Sequence, residues 1–308
     1  MSSLSPAAGP IESRRVALVT GAGRNIGRSI ALALARDGLA VVVNVRSSVH
    51  EGQSVVDELL ALGTPALLCV ADVTQAAEVR TMVDQIMARF GRLDVLVNNA
   101  AIRLEASLAE LRSDDWRNTL AVVLDGAFHC TQAALPLLQR AEGGAIVNIG
   151  GLTAHTGALN RVHVVTAKAG LVGLTRALAH DLAPHQVTVN CVSPGMIDTV
   201  RKGSSTSGTP QHHSLHKPLL GRRGSADEVA DAVAWLAGAQ ARFVTGQVLH
   251  VNERIYAHAV DELHGSAGPG READAEDRAD VGVMHRGQHA FAVGSARFPP
   301  PGGTAGGP

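Results

Sequence analysis

Aromatic residues make up only 3% of this 308-residue chain. Its core cannot rest on large rings and must come from Ala, Val and Leu, which suits a parallel sheet covered by helices on both faces. Cysteine is nearly absent. Cys69, Cys130 and Cys191 are odd in number, far apart and contain no C-x-x-C pair, so they argue against a disulfide framework or zinc site and for buried thiols in a reducing compartment. No sign of charge dominates: 27 Lys and Arg stand against 28 Asp and Glu, net −1. That leaves no basic field for nucleic acid or anionic lipid. Met1 to Arg15 lacks the apolar stretch of a signal peptide, and no later segment offers 18 uncharged apolar residues, so the expectation is a soluble cytoplasmic protein with neither nucleic acid nor membrane as partner. What is present is 45% hydrophobic residues with 18% charged, enough for a sizeable globular core.

Short apolar runs alternate with helical patterns from Arg15 to about Val251. The runs Val16–Thr20, Ala40–Val45, Ala66–Val70, Val95–Asn98, Ala145–Ile149, Thr188–Val192 and Val248–Val251 read as strands. Between them, stretches such as Ile26–Asp37, Ala76–Phe90, Asp114–Arg140 and His163–Leu182 have the length and amphipathicity of helices. Parallel neighbours need crossover helices, so this alternation predicts a doubly wound α/β sheet, a Rossmann fold in one domain. Gly38 and Gly91 fall just past helix ends, where a left-handed residue stops a helix. Residues 14–256 are expected to form that domain. Residues 1–13 read as a flexible arm. Residues 257–308, rich in Gly, Pro, Ala and charge, are too poor in periodic apolar residues to offset their ordering entropy and read as a disordered tail.

Val16–Thr20 runs into Gly21-Ala22-Gly23-Arg24-Asn25-Ile26-Gly27-Arg28. A strand feeding a glycine turn and a helix start is an anion site, because bare backbone N–H groups and the helix dipole face the same point. Asn25 is one of the few non-glycine residues that tolerates positive φ there. The second strand ends Val43-Asn44-Val45-Arg46-Ser47-Ser48, with no acid to accept from a ribose 2′-hydroxyl. Arg46 and Arg24 could instead converge on a 2′-phosphate, for which a guanidinium fork is well shaped. The charge pattern therefore points to NADP(H) over NAD(H).

Further motifs follow in order: Asp72-Val73, Asn98-Asn99-Ala100-Ala101, Lys168, and Ser193-Pro194-Gly195-Met196-Ile197-Asp198-Thr199. Together with the glycine turn, matched at Thr20, Gly21 and Gly27, they resemble the short-chain dehydrogenase/reductase family, especially its 3-oxoacyl-acyl-carrier-protein reductase-like branch, over residues 14–252. The resemblance implies that Gly21, Arg24, Asn25, Ile26, Gly27, Arg46, Ser47, Asp72, Val73, Asn99, Lys168, Pro194, Gly195, Ile197 and Thr199 bind the dinucleotide. It also implies a small carbonyl or alcohol substrate, a mobile lid over Arg201–Leu220, and a homodimer or homotetramer built on the long helices.

The family's proton-transfer set is largely missing. Its signature places a Ser before Tyr-x-x-x-Lys, and counting back from Lys168 puts Val164 at the Tyr position and Gly151 at the Ser position, with 12 residues between them. The supporting helical Asn of a V-N-L-x-G pattern is Val123, in Val122-Val123-Leu124-Asp125-Gly126. Only Lys168 remains. His163 adjoins the vacant Tyr position, but neighbours on a regular helix point about 100° apart; His155, Thr153, Thr156 and Arg161 are other substitutes within reach in sequence. His212 and His216 have the i, i+4 spacing of metal ligands, yet in a lid they read as solvent- or substrate-facing, and no metal is expected. The leading expectation is an NADP(H)-dependent oxidoreductase with a non-standard or weakened proton donor. The alternative is an inactive NADP(H)-binding homologue serving as a regulatory or structural subunit, including one paired with an active reductase. A lyase or dehalogenase fits less well, since the nucleotide loop is kept and the acid–base pair is not.

Overall fold

A computed structural model describes residues 14–199 and 219–252. The expected arm at 1–13, most of the expected lid with His212, His213 and His216, and the expected tail from 257 lie outside the described residues.

Seven strands form one sheet: β1 (Val16–Val19), β2 (Ala40–Val45), β3 (Ala66–Val70), β4 (Val95–Asn98), β5 (Ala145–Ile149), β6 (Thr188–Pro194) and β7 (Val248–Val251). Their order is β3-β2-β1-β4-β5-β6-β7, and every pairing is parallel. The α-helices among the described residues are α1 (Asn25–Arg36), α2 (Val49–Ala61), α3 (Ala76–Phe90), α4 (Ser113–Leu120), α5 (Gly126–Leu138), α6 (Thr153–Thr156), α7 (Val162–Leu182) and α8 (Ala226–Ala237). The chain is therefore a Rossmann-type doubly wound α/β fold. The seven expected strands are all present, five of them with the expected limits, because a strand buried on both faces must be an unbroken apolar run and such runs are conspicuous.

Alternate side chains of each strand feed two cores. Val41 and Val43 of β2 join Ile30 and Leu34 of α1, Val55 and Leu59 of α2, and Val229 and Val233 of α8 on one face. Ala40 and Val42 join Met82 and Ile86 of α3, Cys130 and Leu138 of α5, and Leu182 of α7 on the other. Gly38 (φ +85°) and Gly91 (φ +71°) adopt the left-handed conformation expected at the ends of α1 and α3.

One element departs from expectation. The stretch read as a single helix, Asp114–Arg140, is α4 and α5 joined by a π-helical turn at Ala121–Asp125, and it ends at Leu138. A π turn carries one extra residue per loop of helix, a change of backbone register that leaves no mark on apolar periodicity. Stretches Ser113–Leu138 and Val162–His185 are apolar enough by length and composition to cross a bilayer; here they lie along the sheet, where α5 and α7 contribute to the second core.

The order of strands reverses between β1 and β4. Loops leaving the C-terminal ends of these two strands diverge to opposite faces, and the crevice between them is where a doubly wound sheet binds ligands.

Candidate functional site

A cleft of about 600 Å³ occupies that crevice, walled by the loops after β1, β2, β3 and β4 and closed by Val122 of the π turn. Ligand pockets commonly span about 300–1,000 Å³. Its floor is the glycine turn. Gly21 and Asn25 take positive φ, +62° and +50°, so the asparagine does adopt the conformation expected of it. No side chain caps the start of α1, which leaves its first N–H groups directed at the cleft.

The turn is held from both sides. Asn99 Nδ2 donates to the carbonyls of Thr20 (2.9 Å) and Gly21 (3.1 Å), while the Thr20 hydroxyl accepts from the backbone N–H of Asn99 and Ala100, each at 3.0 Å. Asn44 of β2 accepts from Gly21 N–H at 3.4 Å and donates to the carbonyls of Cys69 and Ala71. A Cβ on Gly27 would fall 2.5 Å from the Gly21 oxygen and 2.6 Å from Asn99 Nδ2. This cradle has no room for a side chain, and its open N–H groups suit a pyrophosphate.

Arg24, Arg46, Ser47 and Ser48 line the far end of the cleft. Arg46 stands 3.9 Å from Asp72, whose carboxylate accepts from Thr74 N–H at 2.9 Å. Two guanidiniums and two hydroxyls fit a 2′-phosphate. Glu51, in the first turn of α2, also lines this end and was not anticipated; the cleft as a whole holds Arg24, Arg46 and Arg103 against Glu51 and Asp72. Val73 and Ile26 complete the cleft among the expected residues. Arg103, one residue past the Asn99-Ala100-Ala101-Ile102 loop, lines the cleft as well, and no sequence signal marked it.

Pro194 ends β6, and Gly195, Ile197 and Thr199 follow it in the loop beyond; none of the four lines the cleft. Gly195 N–H donates to the Val251 carbonyl at 2.9 Å. A Cβ there would lie 2.4 Å from Asn252 Cβ. Ile197 bridges to Gly224. Lys168 of α7 is buried, and its Nζ donates to the Ile149 carbonyl at the end of β5. Burial, then the nearby Arg103 charge, holds its pKa down to about 8, with Cys191 opposing.

Apart from Arg103 and Cys191, apolar residues stand nearby on α7 and the π turn. Val164 is buried one turn earlier on α7. Val123, in the middle of the π turn, packs with Ala127, Ala167 and Leu171. Gly151 faces open space: a Cβ there would meet no atom within 4 Å.

The candidate substitutes are dispersed. His163 is fully buried, and among the described residues neither ring nitrogen finds a hydrogen-bond partner. Burial lowers its pKa; the Leu104 backbone, close by but outside hydrogen-bonding geometry, opposes this, while the Arg161 charge adds to it and Asp115 of α4 resists it. Neither His163 nor Lys168 is among the residues lining the cleft. Arg161 is buried beside Glu105, 3.8 Å away. His155 stacks edge-on against His250 of β7, ring centroids 4.6 Å apart, and its pKa is lowered by burial and then by His250. The exposed Thr156 hydroxyl bonds to its own backbone neighbours, Leu152 and Gly157.

A family model described as enoyl-(acyl carrier protein) reductase matches residues 21–253. A 3-oxoacyl-acyl-carrier-protein reductase of Staphylococcus aureus is 38% identical over 240 residues, spanning 78% of this chain and 97% of that protein. A short-chain dehydrogenase from Burkholderia cenocepacia, solved in complex with NADP, superposes with a TM-score of 0.73 at 36% identity over 80% of this chain and 98% of that one. A blue fluorescent protein from a metagenomic library, solved with NADPH, gives 0.71 at 35% identity over 78% and 96%.

Proposed function

The chain belongs to the short-chain dehydrogenase/reductase family, and we propose that it is an NADP(H)-dependent oxidoreductase interconverting a carbonyl and an alcohol on a small molecule, with a proton donor other than tyrosine. The observation that carries this reading is the cleft: an uncapped helix start over a clamped glycine turn, with Arg24 and Arg46 at its far end. Two similar proteins were solved in complex with NADP or NADPH. When bound, the reduced nicotinamide supplies the hydride. The residues of this chain bind and orient it: Gly21, Asn25, Ile26 and Gly27 at the pyrophosphate, Arg24, Arg46 and Ser47 at the 2′-phosphate, Asp72, Val73 and Asn99 along the adenosine half, and Lys168 with Pro194, Gly195, Ile197 and Thr199 at the nicotinamide end.

A charge-assisted pair to phosphate is roughly twice as strong as a neutral one. NADPH should therefore bind about tenfold or more tighter than NADH, a difference of about 1.4 kcal/mol or more. Titration calorimetry with both nucleotides measures it, and equal dissociation constants would sink the assignment of Arg24 and Arg46.

A second reading draws on Gly151, Val164 and Val123: an inactive NADP(H)-binding subunit that regulates or supports an active homologue. Losing a general acid costs about 10²–10⁴ in rate and losing an oxyanion donor about 10²–10³, so apolar residues at three positions would leave slow chemistry even allowing for non-additivity. NADPH consumption against a panel of ketones and 3-oxoacyl thioesters separates the two. Robust wild-type turnover discards the inactive subunit. Binding without turnover, with turnover gained by Val164→Tyr combined with Gly151→Ser, discards the enzyme.

We place the protein in the cytoplasm as a homodimer or homotetramer. Support comes from three free, buried thiols and from apolar side chains left exposed on α5 and at the start of α7.

A further inference from the structure

Glu51 lines the cleft yet carries no part of the binding assigned above. It sits in the first turn of α2, shortly after Ser48, and shares the cleft wall with Arg24, Arg46, Ser47 and Ser48. Its place beside the glycine turn is closely fixed. A Cβ on Gly23 would lie 3.5 Å from Glu51 Cβ and 3.4 Å from the Gly52 nitrogen, so the start of α2 stands against the turn that leads into Arg24.

Neighbouring carboxylates are engaged. Asp72 faces Arg46 at 3.9 Å and accepts from Thr74 N–H at 2.9 Å. On α2 itself, Glu58 is held by Arg28 at 2.7 Å and Asp57 accepts from Gln53 at 2.8 Å. Glu51 is exposed, and among the described residues its carboxylate has neither an ion pair nor a hydrogen bond.

An acid in a first turn suits the helix dipole, and Ser48 gives α2 no side-chain cap. The start of α2 therefore draws an anion. Together with Arg24 and Arg46, it is also what would draw a nucleotide 2′-phosphate. A resident carboxylate and an incoming phosphate compete for one positive end.

We propose that Glu51 is a specificity-determining residue for the nucleotide, holding back NADPH by repelling its 2′-phosphate and favouring NADH by accepting from its free ribose 2′-hydroxyl. The inference rests on the NADP(H)-binding reading above. A phosphate monoester carries about −1.5 to −2 charge near pH 7, so the repulsion falls mainly on NADPH. A carboxylate is the usual acceptor for a ribose 2′-hydroxyl, so the attraction falls on NADH. With Arg24 and Arg46 in place NADPH stays the tighter ligand, and Glu51 narrows the margin.

Titration calorimetry of NADPH and NADH against wild type, Glu51→Gln and Glu51→Asp, at about 20 mM and about 500 mM salt, tests this. At low salt Glu51→Gln should bind NADPH about three- to tenfold tighter, the size expected of one repulsive pair across a solvent-exposed cleft, and NADH no tighter than wild type. At high salt screening should shrink that gain to about twofold or less. Glu51→Asp keeps the charge and should stay nearer to wild type than to Glu51→Gln. The position is exposed and belongs to neither core, so both variants should melt within about 2 °C of wild type.

An unchanged ratio of the two dissociation constants in Glu51→Gln, an equal gain for both nucleotides, a gain that persists at high salt, or an aspartate variant that behaves like glutamine would overturn Glu51 as the determinant while leaving NADP(H) binding standing. Equal affinities in the wild type that part in Glu51→Gln would uphold Glu51 and sink the tenfold preference expected of Arg24 and Arg46. Binding of neither nucleotide would overturn both.

Discussion

Gly27 and Gly151 both belong to the site, and their surroundings set opposite limits on what could replace them. A Cβ on Gly27 would press on the Gly21 carbonyl, Asn99 Nδ2 and the Ala22 backbone, all within 3 Å, and two of these are main chain that cannot swing aside. Gly27→Ala should therefore displace the turn, cost about 1–3 kcal/mol by overpacking and weaken NADPH binding by about tenfold or more. At Gly151 nothing stands within 4 Å, so Gly151→Ser should leave the melting temperature unchanged within about 2 °C, as expected of a substitution outside the core. Thermal melts and calorimetry on the two variants check the contrast. A large loss of stability in Gly151→Ser would mean that the serine position is closed for packing reasons. At this scale the sequence was most legible where a backbone requirement picks the residue. Asn25 was expected at positive φ and lies at +50°. It was least legible where only three-dimensional neighbours matter: Arg103 and Glu51 reach the cleft from loop and helix positions that no spacing rule singles out, and the burial of His163 depends on α4 and the Leu104 loop covering it.

At the scale of elements, α7 is attached to β5 at two levels. Lys168 donates to the Ile149 carbonyl, and two turns further along Thr175 accepts from Asn148 Nδ2 at 2.9 Å while donating to the Leu171 carbonyl at 2.7 Å. Asn148 in turn accepts from Asn98 of β4 at 2.8 Å, so a buried polar chain runs across the sheet into the helix. All of these side chains are enclosed, where a donor left without a partner pays its desolvation in full. Thr175→Val should strand Asn148 Nδ2 and destabilise the fold by about 1–3 kcal/mol, read as a lower urea midpoint with unchanged slope; Thr175→Ser should recover most of the loss. Equal midpoints for wild type and Thr175→Val would remove this chain from the account of how Lys168 is positioned. Neither contact was visible in sequence, since Asn148 and Thr175 sit in stretches that read simply as apolar strand and helix. The same blindness hid the π turn at Ala121–Asp125. Strand and helix limits come from local periodicity, whereas polar ties and register changes arise only when elements meet.

At the scale of the whole molecule, two groups among the exposed apolar side chains bear on assembly. On the α5 and α7 face, Phe128 is 47% exposed, Val162 41% and Leu159 65%. At the other end of the sheet β7 is an edge strand, and Trp235 of α8 is exposed nearby in sequence with Phe243. A closed dimer needs one self-complementary surface and a tetramer of two-fold symmetry needs two, while an open edge strand is a liability that native proteins cover. The proposed homodimer or homotetramer would use the helical face first, because long packed helices supply a flat surface without unpaired backbone groups. Phe128→Glu places a charge on that face, at a side chain that is about half exposed and belongs to neither core. Its expected outcome is a fall in mass by about half in light scattering, with the far-ultraviolet circular dichroism unchanged, because burying an unpaired carboxylate at an interface costs several kcal/mol. A wild-type mass of a single chain would defeat the assembly outright. An unchanged oligomer in Phe128→Glu would instead assign the contact to the β7 edge, where Trp235 and Phe243 would be the next side chains to charge.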